Sequence, residues 1–360
     1  MFPALLTVAV LLGAPQAPKT SPELTPALTP AIRQAVVDRL AAELERGYVF
    51  PRVAEELEFE LRERLKDGVY DKSADPHAFA ALLTDTLREV SSDKHLAVRF
   101  SAKPPPEHVH EQREPTPEEV EERRREAAWE NFGVESVQRL AGNVGYLDFR
   151  AFQHPEIAGP AVHSALALLS NSEALIIDLR ENGGGSPDMV RLLSSYLFGP
   201  TPVHLNSLYY RPSDTTEEFW TLAELPGPRL VGKDVYVLTS SYTFSAAEEF
   251  AYNLQCLERA TIVGQTTGGG AHPGGMVRLT EHFNAFIPSG RAINPITKTN
   301  WEGVGVKPDV ECDVGSARAR AHALALERLV AKEKNADRRR RFERALDMAQ
   351  VALRAAQTTR

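Results

Sequence analysis

The segment LTSSYTFSAAEEFAYNL (238–254) carries the most chemistry for its length. An apolar strand, VYVLTS (235–240), runs into a short polar turn. Ala247, Phe250, Ala251 and Leu254 then share one face of a helix. A serine in the first turn of such a helix, Ser245, stands at the carboxyl end of a sheet, where α/β folds place their sites. The backbone amides there favour developing negative charge, which an acyl-transfer intermediate has. Ser245 and Glu248 also match the S-x-x-E spacing of a capping box, which satisfies backbone donors without any catalysis. The segment alone admits both a nucleophile and a cap.

Two glycine runs offer bare backbone amides to a ligand. NGGG (182–185) follows the apolar strand ALIIDLR (174–180), and TTGGGAHPGG (266–275) lies further on. Neither carries the downstream Lys-Ser/Thr of a P-loop, and G-x-G-x-x-G is not matched, so an oxyanion hole suits NGGG better than a phosphate cradle. A serine needs a base to attack a carbonyl at neutral pH. The candidates are His95, in SSDKHLAVRF (91–100), and His272, in the second glycine loop. Glu302, in WEGVGVKPD (301–309), offers a carboxylate to orient the base.

The elements that must position these groups fall into an ordered series. Ile32, Val36, Leu40 and Leu44 recur at helical spacing, as do Val53, Leu57 and Leu61, and Phe79, Leu82, Leu83 and Leu87 form a third apolar face. The pattern predicts a small helical domain over 22–102, closing in a short strand at Leu96, Val98 and Phe100. Residues 103–140 begin Pro-rich and charged and read as a linker with a helical end, in which His108 and His110 are a solvated pair rather than metal ligands. An α/β unit with a mixed sheet is expected over 141–313, since strands and helices alternate early and strands cluster late. Residues 314–360 form a basic helical tail with a local charge of +7. Such a tail could touch a partner, an anionic membrane surface or the body of the protein itself.

Composition narrows the function classes. With 360 residues, 42% hydrophobic and 25% charged, the chain is neither collagen-like nor mostly disordered. A net charge of −8 argues against electrostatic nucleic-acid binding. Two cysteines, Cys256 and Cys312, allow one disulfide or none and no four-thiolate zinc site. The first residues, MFPALLTVAVLLGAPQAPKT, hold an apolar run too short to span a bilayer, followed by small residues with a cleavage point after Ala17. A signal peptide over 1–17 is expected, although a positive start is missing, which makes the mature chain exported, periplasmic or extracellular.

In order, D-x-H-L (93–96), IIDLRENGGG (176–185), TSSYTFSAAEEF (239–250), GQTTGGGAHP (264–273) and WEGVGVKPD (301–309) resemble the tail-specific, or C-terminal processing, serine protease family. The resemblance is nearest to the branch of the tricorn protease core and interphotoreceptor retinoid-binding protein. It is specific over 141–313 and looser over 29–100. It implies an α/β (α+β) fold, a crotonase-like mixed-sheet core behind a small helical bundle. Ser245 then matches the nucleophile and His95 the general base. Glu302 supports His95 directly or through a hydroxyl such as Ser92, with His272 a minor alternative base. The amides of Gly184 and Ala246 match the oxyanion hole, and Gly185 lines the substrate path. The lysine base usual 25 residues after the serine is replaced by Gly270, and 103–140 is too short for a peptide-binding PDZ module. The implied activity is hydrolysis of extended peptides or unfolded protein segments, without metal, organic cofactor, nucleic acid or a transmembrane segment in the mature chain. The rival readings are a non-catalytic carrier of apolar ligands on the same fold and a scaffold with a decayed site.

Overall fold

The computed structural model describes residues 27–103 and 116–358. The expected signal peptide and the histidine pair at 108 and 110 lie outside the described residues. The chain opens with three helices, α1 (Pro30–Gly47), α2 (Pro51–Lys66) and α3 (Pro76–Ser91). Each starts on a proline, which has no amide to leave unsatisfied at a helix start. Thr29 and Asp75 cap α1 and α3 by accepting from backbone amides. The faces bearing Val36, Leu40 and Leu44, then Leu57 and Leu61, then Phe79, Leu83 and Leu87 are buried together. A tight turn leads into strand β1 (Ala97–Phe100).

Next come α4 (Pro117–Trp129), β2 (Val134–Leu140), β3 (Val144–Phe149), α5 (Pro155–Leu168), β4 (Ala174–Asp178) and α6 (Pro187–Ser195). They are followed by β5 (His204–Tyr210), β6 (Thr215–Trp220), β7 (Asp234–Thr239), α7 (Ala246–Cys256) and β8 (Thr261–Gly264). Strands β9 (Gly274–Arg278), β10 (Phe283–Pro288), β11 (Gly290–Ile293) and β12 (Val310–Glu311) precede the closing helices α8 (Val314–Lys332) and α9 (Ala336–Thr358).

The main sheet has six strands in the order β12-β8-β7-β4-β3-β2. All its pairs are parallel except β2 with β3. Side chains alternate across it as strand geometry requires. Leu175, Ile177, Val235 and Val237 meet α5, α6 and α7, whereas Ile176, Tyr236 and Leu238 meet α8 and α9. Both faces are covered, which is why β4 and β7 read as continuous apolar runs.

Two boundaries differ from the sequence expectation. The expected linker over 103–140 contains α4, which has a capping box at Thr116 and Glu119, and β2, the edge strand of the main sheet. A bulge between Val134 and Ser136 breaks the period-2 signal of β2. The β9–β10 hairpin, expected in the second unit, pairs through β10 with β1 and gives Phe283, Ala285 and Ile287 to the helical core. The helical and sheet units are therefore knitted together. The basic tail is folded onto the sheet, with Phe342, Ala345 and Ala349 buried. Its cations pair with acidic groups of the body, Arg338 with Glu173 at 2.9 Å and Lys332 with Asp234 at 2.8 Å. No helix among the described residues is long and apolar enough to cross a membrane, and Cys256 and Cys312 are both free thiols.

Candidate active site

Ser245 sits on the turn between β7 and α7 with φ 55° and ψ −122°, a conformation that non-glycine residues rarely adopt. Backbone strain of this kind costs about 1–3 kcal/mol and persists only where the surroundings enforce it. Here they do. Thr243 Oγ1 donates to the Leu179 carbonyl at 2.7 Å, and the Phe244 amide donates to the Asn182 carbonyl at 3.1 Å, tying the serine turn to the first glycine loop. The Ser245 amide donates to Glu248 Oε2 at 2.8 Å. Glu248 is fully buried and also accepts from the amides of Gly269 at 2.6 Å and Gly270 at 2.9 Å, so it fastens the second glycine loop beside the serine.

His95 arrives from the other unit. Ser92 adopts a left-handed conformation that ends α3, and Asp93 Oδ1 accepts the His95 amide at 3.0 Å. The chain then enters β1, whose pairing with β10 fixes the imidazole between Phe244, at 4.6 Å between ring centres, and Phe286, at 5.8 Å. His95 Nε2 lies 3.1 Å from Ser245 Oγ. Burial pushes the imidazole down to about 4, against the opposing pull of Asp93. It is therefore neutral at pH 7, the form that can take a hydroxyl proton.

The carboxylate nearest the other ring nitrogen is Asp93, with Oδ1 4.0 Å from His95 Nδ1. Burial opposes ionisation of Asp93, yet His272, hydrogen-bonded to it at 2.8 Å, and the His95 amide hold it below the usual carboxylate range. Tyr48 donates to the same carboxylate at 3.2 Å.

The sequence expectation put Glu302 on His95. In the structure Glu302 Oε2 accepts the Ala271 amide and lies 3.4 Å from His272 Nδ1, and no bond joins it to His95 among the described residues. Nor does the Ser92 hydroxyl bond to His95 or Glu302 among the described residues; Ser92 has a left-handed backbone at the end of α3. Burial pushes Glu302 up to about 7, with neighbouring Asp93 adding to the rise and His272 opposing it. His272 is committed to Asp93 and does not contact Ser245. Asp93, His272 and Glu302 bring ligand atoms within 4.8 Å of one another. The 2.8 Å between Asp93 and His272 is hydrogen-bond length.

The oxyanion donors also need one correction. Gly184 has φ 107°, and a Cβ there would come within 2.8 Å of Ser245 Cβ, so only glycine lets this loop approach the serine. Its amide, however, donates to Asn182 Oδ1 at 2.8 Å. The amides of Gly185 and Ala246 have no acceptor among the described residues and flank the same cavity as Ser245. Phe286 was not singled out from sequence. Asp93 appeared there only as the first residue of D-x-H-L, and Glu248 only as the capping-box partner of Ser245, whose amide it does accept.

The model for Peptidase family S41 matches residues 143–312, and that for the N-terminal domain of peptidase S41 in eukaryotic IRBP matches residues 26–136. A tail-specific protease of Haemophilus influenzae is 33% identical over 116 residues, a match covering 30% of this chain and 15% of that protein. The chain thus aligns with only a small part of that relative. Among solved structures, a lipoprotein from Streptococcus agalactiae superposes with a TM-score of 0.54 at 14% identity, covering 85% of this chain and 98% of that one. A candidate peptidase from Parabacteroides merdae gives 0.52 at 17% identity, over 78% and 90%. These likenesses establish the mixed α/β fold with its helical N-terminal region.

Proposed function

We propose that this chain, a member of peptidase family S41, is a serine-type peptidase that cleaves peptide bonds by attack of Ser245 with His95 as general base. The observation that carries this reading is the 3.1 Å approach of His95 Nε2 to Ser245 Oγ, made by two different structural units. His95 takes the hydroxyl proton as Oγ adds to the carbonyl, and returns it to the leaving amine. The oxyanion falls to the amides of Ala246 and Gly185, with Gly184 shaping the loop. Asp93 stabilises the imidazolium that forms, and Glu302 acts one step back, through His272. Substrates are extended peptide or unfolded segments, and the apolar start of the chain supports export. Digestion of a diverse peptide library by the wild type and by Ser245→Ala, read by mass spectrometry, tests the assignment. Cleavage by the wild type alone is expected, and equal cleavage by both would refute it.

One observation favours a second reading, a carrier of apolar ligands. A cavity of about 390 Å3 lies between α1, α3 and the β9–β10 hairpin, lined by Leu28, Ile32, Phe100 and Phe283 among others. Co-purification of a lipid lost on Ile32→Asp would support it.

A further inference from the structure

Beside Ser245 a narrow cavity of about 40 Å3 enters the core of the sheet unit. Gly185, Ser245 and Ala246 line it, together with the apolar Leu208, Ala292 and Trp301. One lining group does not belong in such a place. Glu249, in the first turn of α7, is only 5% exposed, and its Oε1 has no hydrogen-bond partner among the described residues. Near it are the fully buried side chains of Asn206 and Asn253, whose Nδ2 atoms, with Asn206 Oδ1, also lack partners. A buried carboxylate with one oxygen unbonded, steadied only by the neighbouring Asn206 and Asn253 side chains, is costly, so a protein tolerates one where something else completes it.

We propose that this cavity receives the side chain on the acyl side of the scissile bond (P1), and that Glu249 selects a basic residue there, lysine above arginine. The inference rests on Ser245 being the nucleophile. Its grounds are placement and chemistry. The cavity opens where the nucleophile and both free oxyanion donors meet, so the residue whose carbonyl is attacked has this opening beside it. At about 40 Å3 the space is small and favours a slim side chain over an aromatic ring. A lysine stem is slim. Its methylenes would lie against Leu208, Ala292 and Trp301, with the ammonium at the carboxylate and the Asn206 carbonyl oxygen.

Burial pushes the empty-pocket Glu249 up to about 7, with Asp188 adding to the rise and the Asn206 and Asn253 amides pulling it down. An arriving cation would hold it ionised. This gives a charged P1 residue an attraction that a neutral side chain of equal length lacks. No such selectivity is visible from sequence, where Glu249 reads only as an acidic residue favourable to a helix start.

The test uses peptidyl diphenyl phosphonates that differ only at P1, carrying lysine, arginine, norleucine, alanine or phenylalanine. Inactivation rates are measured and the adduct is mapped by mass spectrometry. The lysine probe is expected to label Ser245 at least tenfold faster than its neutral counterpart norleucine. In Glu249→Gln that ratio should collapse to near one while norleucine still labels. A wild-type ratio of one or less overturns the proposal even if the variant does not fold. So does a lysine preference that survives in folded Glu249→Gln. In either case labelling at Ser245 leaves the nucleophile assignment standing. A folded wild type that no probe labels at Ser245 overturns both.

Discussion

Gly270 and His95 are sterically reciprocal: a Cβ on residue 270 would lie 2.6 Å from His95 Cε1 and overlap the ring of Phe244. Relatives with a serine–lysine pair place the lysine where this chain has Gly270, and here the imidazole fills that space. On the proposed assignment the glycine leaves room for His95 to be the base. Gly270→Ala should displace the ring from Ser245 while Glu248 still holds the loop. A 1 Å misplacement of a catalytic group costs roughly a hundredfold in rate. A fall in kcat of that order is expected, with KM little changed, and steady-state kinetics on a cleaved peptide would check it. An unchanged kcat would show that the ring can give way.

Asp93 stands nearest the ring nitrogen that does not face the serine, at 4.0 Å, so its charge acts on the imidazolium through space. Asp93→Asn retains an acceptor for the His95 amide and removes the charge. Since general acid–base catalysis contributes roughly 10²–10⁴-fold, a loss of about a hundredfold in kcat is expected. The acid limb of the pH profile should also move to lower pH, because the anion that favours protonated His95 is gone. A purely structural role for Asp93 would not shift that limb.

The pH dependence of the wild type follows from His95 itself. The base must be neutral, and burial lowers its pKa from 6.5 to about 4. As pH falls, kcat/KM should stay level through 6.5 and decline only as the folded-state value is approached. Measurement between pH 4 and 8 on a substrate without ionisable groups would settle it. Half-loss of activity near pH 6.5 would mean an unperturbed base.

Glu302 gives a stability prediction of opposite sense. Its folded-state pKa is raised from 4.5 to about 7, so the folded chain binds the proton more tightly than the unfolded chain. That contribution is fully present below pH 4.5 and is lost as pH rises through 7. Glu302→Gln should therefore melt higher than wild type at pH 8, with the advantage shrinking towards pH 5. Thermal scans of both proteins at the two pH values would reveal it, and a constant difference would exclude the ionisation as its cause.

Much of the frame was legible because it depends on patterns that sequence displays directly. The apolar runs of β4 and β7 announce a doubly covered sheet, and the helical faces of α1 to α3 repeat cleanly. Ser245 and His95 lie in short motifs whose order along the chain carried their resemblance. What stayed hidden depends on contacts between distant segments. The β9–β10 hairpin alternates acceptably for either unit, and only its pairing with β1 assigns it. Edge strand β2 is mostly polar and carries a bulge. The partner of Glu302 is decided by the packing of separate loops, which brings it to His272 and the Ala271 amide. Gly184 and Gly185 are chemically alike, and only the Asn182 side chain, which claims the Gly184 amide, distinguishes them.

The central claim is that Ser245 and His95, brought together from separate units, act as one catalytic device. Groups that act as one are not additive: removing either costs nearly as much as removing both. The most direct measurement is kcat/KM for Ser245→Ala, His95→Ala and the double variant on one cleaved peptide, with folding verified by circular dichroism. All three are expected to fall to the same residual rate. A His95→Ala enzyme with wild-type turnover, or losses that simply multiply in the double variant, would contradict the pairing.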